Sequence, residues 1–217
     1  MPETFNGPGG EDAALCHARM SEAFDHLISG AIDEAVRCVR DAVAYGTPPT
    51  NELRNIINSL QDHDRHDVAV ELCEGLLARE PDNVAALIDL GFSLEPLGEY
   101  DRARAAYTRA SEIHPSDATA LNNRAFLELS CGNLDKARED IELALGRSAT
   151  EGIAHATKAE ILAQQGDIAG AFESITTAVE LDEEWLDSAK NSEFLAPIRE
   201  APQWSAWLAE HDSSDDL

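Results

Sequence analysis

The sequence predicts an all-α solenoid of five helix–turn–helix units in series, closed by a C-terminal helical segment. Two observations carry this. Similar residue types return every 34 positions, without insertion or deletion, from residue 16 to residue 185. Glycine-centred breaks share the same period and divide each unit into two stretches of helical length.

The break position reads Gly30, Asp64, Gly98, Gly132 and Gly166. Five residues on, every unit has alanine: Ala35, Ala69, Ala103, Ala137 and Ala171. Seven further on come Ala42, Leu76, Ala110, Ala144 and Ala178, and the small position of the preceding stretch reads Ala23, Ile57, Gly91, Ala125 and Ala159. Small residues let two helices approach closely, while Leu87, Leu94 and Tyr107 fill the remaining space. Glycine suits the left-handed conformation that ends many helices, and Pro115 stops the second helix of its unit. Helix pairs are therefore expected at 13–28 and 31–45, 50–62 and 65–79, 82–95 and 100–113, 116–130 and 134–147, and 150–165 and 168–181.

Leu87, Leu90, Gly91, Leu94, Gly98, Tyr100, Ala103, Tyr107, Ala110 and Pro115 resemble the signature of the tetratricopeptide repeat. The resemblance implies a right-handed solenoid of repeats at 16–49, 50–83, 84–117, 118–151 and 152–185, within 13–185. Residues 1–12, rich in Gly and Pro, and the acidic 212–217 are expected to be flexible tails. Between them, 186–211 is expected to cap the last repeat, with Phe194, Leu195, Ile198, Trp204, Trp207 and Leu208 at helical spacing. This stretch is similar to the closing segment of bacterial tetratricopeptide arrays. A tryptophan pair exposed for docking is the rival reading of it.

Composition excludes several functions. Sixteen Lys and Arg stand against forty-two Asp and Glu in 217 residues, a formal charge of −26. Phosphate-led nucleic-acid binding needs a positive footprint, and a polybasic membrane contact needs the same. No apolar run approaches the roughly 20 residues needed to span a bilayer. The N-terminal stretch lacks the charge and apolar run of a secretory signal, and the four cysteines form no CxxC pair, so a cytoplasmic protein with reduced thiols is expected. The acidity also fits a salt-adapted host, in which charge serves solubility.

Catalytic motifs are lacking: no phosphate loop, nucleophile elbow or HExxH is present. His63 and His66 are spaced HxxH beside Asp62, Asp64 and Asp67, but they fall at a turn where polar residues are expected anyway. Neither cofactor nor metal is expected.

The resemblance instead directs attention to the first helix of each repeat, which in this family lines a groove. Its groove positions imply Phe24 in the first repeat; Arg54, Asn55 and Asn58 in the second; and Asp89, Phe92 and Glu95 in the third. The fourth contributes Asn122, Asn123 and Phe126, and the fifth Thr157 and Glu160. Phe24, Phe92 and Phe126 either anchor a partner or pack on neighbouring helices; the side-chain amides beside them can pair with a peptide backbone. Arg54 and Asn58 match part of the carboxylate clamp known in the family, but Asp89, Thr119 and Asn123 stand where the clamp needs asparagine and basic residues. A carboxylate tail would be repelled. The expected function is a non-catalytic adaptor that binds a protein or peptide with apolar anchors and basic flanks. The alternatives are an acidic inhibitor, immunity protein or chaperone for a basic partner, and, further off, a small metal protein or enzyme.

Overall fold

The computed structural model describes residues 8–211, with side chains from residue 12; residues 1–7 and 212–217 lie outside the described residues. The chain forms α1 (Pro8–Ile28), α2 (Ile32–Tyr45), α3 (Thr50–Asp62), α4 (His66–Arg79), α5 (Val84–Leu94), α6 (Tyr100–Ile113), α7 (Thr119–Ser130), α8 (Leu134–Arg147), α9 (Gly152–Gln165) and α10 (Ile168–Leu181). The shorter α11 (Trp185–Asn191), a 3₁₀ turn (Glu193–Leu195), α12 (Ala196–Arg199) and α13 (Trp204–His211) follow. No strand occurs among the described residues. Helix α1 begins at Pro8, so the part of the expected 1–12 tail that is described is helical.

The sequence period reappears as a bonding period. At each break the glycine or aspartate amide donates three residues back, and the following amide donates five residues back: Ala31 to His26, Arg65 to Leu60, Glu99 to Leu94, Asn133 to Glu128 and Asp167 to Leu162, at 2.8–3.1 Å. This paired closure requires a left-handed residue at the break. Gly30, Gly98, Gly132 and Gly166 have φ of 77°, 74°, 76° and 82°, and Asp64 is the one non-glycine with positive φ, at 57°, among the described residues. Side-chain caps are added where the next helix starts at Asn83, which accepts from the Ala86 amide, and at Asp167, which accepts from that of Gly170, both at 3.0 Å.

Packing follows the small residues. Ala35, Ala69, Ala103, Ala137 and Ala171 are all fully buried. So are Ala23, Ile57, Ala125 and Ala159 in the first helices and Ala42, Leu76, Ala144 and Ala178 in the second. The chain divides into two compact units, one through Ala106 and one from Tyr107. In the first, α1 packs on α2 and α3 on α4, and the first helices α1, α3 and α5 touch in sequence. Its core joins Met20, Val39, Ile56, Ile57 and Leu76. In the second, α7 packs on α8, α9 on α10, and α7 on α9.

The last helices of the second unit close over α9 and α10. Leu186, Leu195, Ile198 and Trp207 share one core with Leu162, Ile175 and Val179. Trp207 is buried, donates from Nε1 to Thr176 Oγ1 at 2.7 Å and lies between the rings of Trp204 and His211. Trp185 lies across the start of α9, where a Cβ on Gly152 would fall 2.4 Å from its Nε1. The tryptophans are thus parts of the packing, with Trp204 half-buried.

The break positions give a test. A Cβ on Gly98 would meet nothing within 4 Å, so only backbone conformation opposes it. Gly98→Ala should lower stability by about 1–2 kcal/mol, and Asp64→Gly should leave it unchanged or raise it by up to about 1 kcal/mol. Urea unfolding of the two variants checks the opposite signs.

Candidate functional site

In the first unit the groove positions fall on the touching helices α1, α3 and α5. Phe24 and Phe92 are 39% and 51% exposed. Phe92 meets the His66 ring edge-on at 6.4 Å, and about half of its surface faces solvent. Asn55 and Asn58 are exposed, and Glu95 is half-buried at the end of α5.

Asp89 is not on offer to a partner. It is only 9% exposed, and Arg54 reaches across from α3 to grip it, Nε to Oδ2 at 2.8 Å and Nη2 to Oδ1 at 3.4 Å. Gln61, two turns along α3, donates to the Asp89 carbonyl at 3.0 Å and to Ser93 Oγ at 2.7 Å. Charge-assisted, two-point pairing of this kind joins neighbouring helices and engages both Asp89 oxygens. Asp89 is thus engaged within the fold by Arg54, whose own side chain stays 32% exposed.

In the second unit α7 and α9 carry the remaining positions. Phe126 is 38% exposed and meets Phe194 of the 3₁₀ turn edge-on at 5.8 Å. Asn123 is half-buried and reachable, whereas Asn122 and Thr157 are buried. The Asn122 Oδ1 is enclosed without a hydrogen-bond partner. Arg124, which the sequence did not single out, is held between α7 and α8: it donates to both Asp140 oxygens at 2.7 and 2.6 Å and to Thr108 Oγ1 at 2.8 Å.

This architecture is matched elsewhere. Two tetratricopeptide repeat models match residues 60–122 and 93–152. Residues 60–152 are tetratricopeptide repeats. Solved structures of the same fold include a thermophilic tetratricopeptide protein of Thermus thermophilus, 16% identical, covering 89% of this chain and 99% of its own with a TM-score of 0.62. MamA is 19% identical over 82% of this chain and 96% of its own, TM-score 0.63. PilF of Pseudomonas aeruginosa is 15% identical over 92% and 99%, TM-score 0.58.

Among the tetratricopeptide positions, Glu160 is chemically unusual. It is 7% exposed on α9, and its Oε1 accepts from Ser192 Oγ at 2.5 Å. Burial pushes its carboxyl up from 4.5 to about 7, against the opposing pull of the Ser192 hydroxyl. Like Asp89, it offers no free carboxylate to a basic flank; it ties α9 to the end of α11. Ser192 also accepts from Arg199 Nη1 through its carbonyl at 2.6 Å, so the sequence signal was a serine 32 residues beyond a groove position.

The HxxH pair divides. His63 Nδ1 bonds the Ser59 carbonyl of its own helix at 2.7 Å, while His66 turns to Phe92. No group of three or more potential metal ligands converges among the described residues. Cys16, Cys38 and Cys73 are buried thiols, and desolvation raises the pKa of each. No described helix is long and apolar enough to cross a membrane.

The Glu160 carboxyl sets a pH dependence. Its folded pKa of about 7 lies above the ordinary 4.5, so folding favours the neutral form. That contribution is complete below about pH 4.5 and is lost as pH rises through about 7, by about 3 kcal/mol at roughly 1.4 kcal/mol per pKa unit. Glu160→Gln should remove this slope. Wild type should therefore lose stability relative to the variant between pH 5 and pH 8 in parallel urea titrations.

Proposed function

We propose that this chain is a non-catalytic adaptor that holds a segment of another protein against the first-helix faces of its repeats. One observation supports this most: Phe24, Phe92 and Phe126 recur at one repeat position and remain 39%, 51% and 38% exposed. Aromatics that served only to pack neighbouring helices would be enclosed, as Tyr107 is. Exposed aromatic side chains of low conformational cost are the residues that carry most binding energy at protein interfaces.

The polar setting agrees within each unit. Exposed Asn55 and Asn58 on α3 share the first unit with Phe24 and Phe92, and reachable Asn123 sits beside Phe126 on α7. Their amides both donate and accept, which suits an extended backbone of any sequence. Specificity then comes from what sits over the rings. Asp89 and Glu160 stay inside the scaffold, so recognition on these faces is led by apolar contact, and basic flanks are not required there. The charge of −26 opposes phosphate-led nucleic-acid binding.

The test is capture from the source cells with wild type and with Phe92→Ala and Phe126→Ala. Both rings are partly exposed, so the variants should fold normally. Each should weaken a captured partner by about 2 kcal/mol, or roughly 30-fold, mainly through faster dissociation. A partner that ignores both substitutions binds elsewhere, and the reading fails.

A further inference from the structure

A second groove is built on the second helix of the fifth repeat rather than on a first helix. It lies between α10 and α13 and holds about 590 Å³. Ile168, Ala169 and Phe172 form one side, Ala206 and Trp207 the other, and Glu210 stands at its edge. Its floor is rigid: Trp207 is pinned by Thr176 and stacked between Trp204 and His211, and its ring meets Phe172 at 6.2 Å. Its space exists because Ala169 and Ala206, both exposed, are small.

The rim has one sign of charge. Residues 169, 173, 176 and 180 share a strip of α10: Glu173 stands next to the lining Phe172, and Glu180 follows two turns further on. Glu173, Glu180 and Glu210 are exposed, and none makes an ion pair among the described residues. Residues 212–217, which follow α13 in sequence, bring no base and add Asp212, Asp215 and Asp216. A second copy brings a further charge of −26. Both would be repelled from this rim, as would an anionic membrane.

We propose that this groove is a docking site for a helical segment of a basic partner protein. Its apolar side chains would sit on the Phe172–Trp207 floor, and lysine or arginine side chains would face Glu173 and Glu210. Such a segment buries an apolar stripe between α10 and α13 while its cations steer the encounter. The surface is independent of the Phe92 and Phe126 faces.

The test uses the full chain and a synthetic amphipathic helix of leucine and lysine, about 18 residues or five turns long. An equal helix with glutamate for lysine is the control. The lysine helix should bind, shift the tryptophan emission, and weaken as the Debye length falls from about 10 Å to about 3 Å between 0.1 and 1 M salt. Ala206→Arg should weaken it at least about tenfold by filling the groove. Ser205→Arg, an equal change of charge at the neighbouring exposed position, should change it less than about twofold. Phe92→Ala and Phe126→Ala should leave it unchanged. Equal affinities for Ala206→Arg and Ser205→Arg, equal binding of both helices, or no binding up to about 1 mM would overturn the proposal. A gain in affinity on deleting residues 212–217 would assign the groove to that segment and overturn it as well.

Discussion

Everything in this molecule depends on how closely paired helices approach one another at one recurring position. Ala35, Ala69, Ala103, Ala137 and Ala171 are fully buried, and each lies five residues beyond a left-handed break. A single methyl at that depth leaves room for the partner helix but none for a longer side chain. The break sets where the second helix starts, and the alanine sets how near it lies. Larger side chains such as Ile57, Leu76 and Ile141 then fill what remains.

Once the pairs are closed in this way, first helices meet first helices, and the faces they turn outward are free to diversify. The structure shows what restrains that freedom. Charges buried along these seams are matched, as Arg54 is to Asp89 and Arg124 to Asp140, because a lone buried charge would be costly. Where no partner charge exists, burial disfavours the charged form and raises the carboxyl's pKa, as for Glu160 beside Ser192. The Phe24, Phe92 and Phe126 rings keep part of their surface in solvent. Most of the remaining acids among the described residues lie on the exposed surface.

The repeat was legible because helix–helix closeness and helix termination leave local marks. Alanine and glycine at a fixed period say where the backbone must come near and where it must turn, and the helices fall within a few residues of their expected bounds. Even Asp64 kept its register and adopts the conformation its glycine equivalents adopt. Accessibility at the groove was not legible, because it depends on residues distant in sequence. Nothing local to Asp89 announces Arg54, 35 positions earlier, and nothing near Glu160 announces Ser192. Asn122 and Asn123 look alike in sequence, yet helical rotation puts one inside and the other within reach. The C-terminal segment was expected from its apolar spacing, but its division into α11, a 3₁₀ turn, α12 and α13 follows from packing on α9 and α10.

The most direct measurement of the central claim compares two alanines on α6, the fully buried Ala103 and the exposed Ala105, each replaced by leucine. Both gain the same apolar side chain and both sit in good helix-forming positions, so propensity does not separate them. If close approach at the recurring alanine holds the repeats together, Ala103→Leu should lose about 1–3 kcal/mol by overpacking, seen as a clear fall in thermal midpoint, while Ala105→Leu should melt like wild type. Equal midpoints for the two variants would contradict the account.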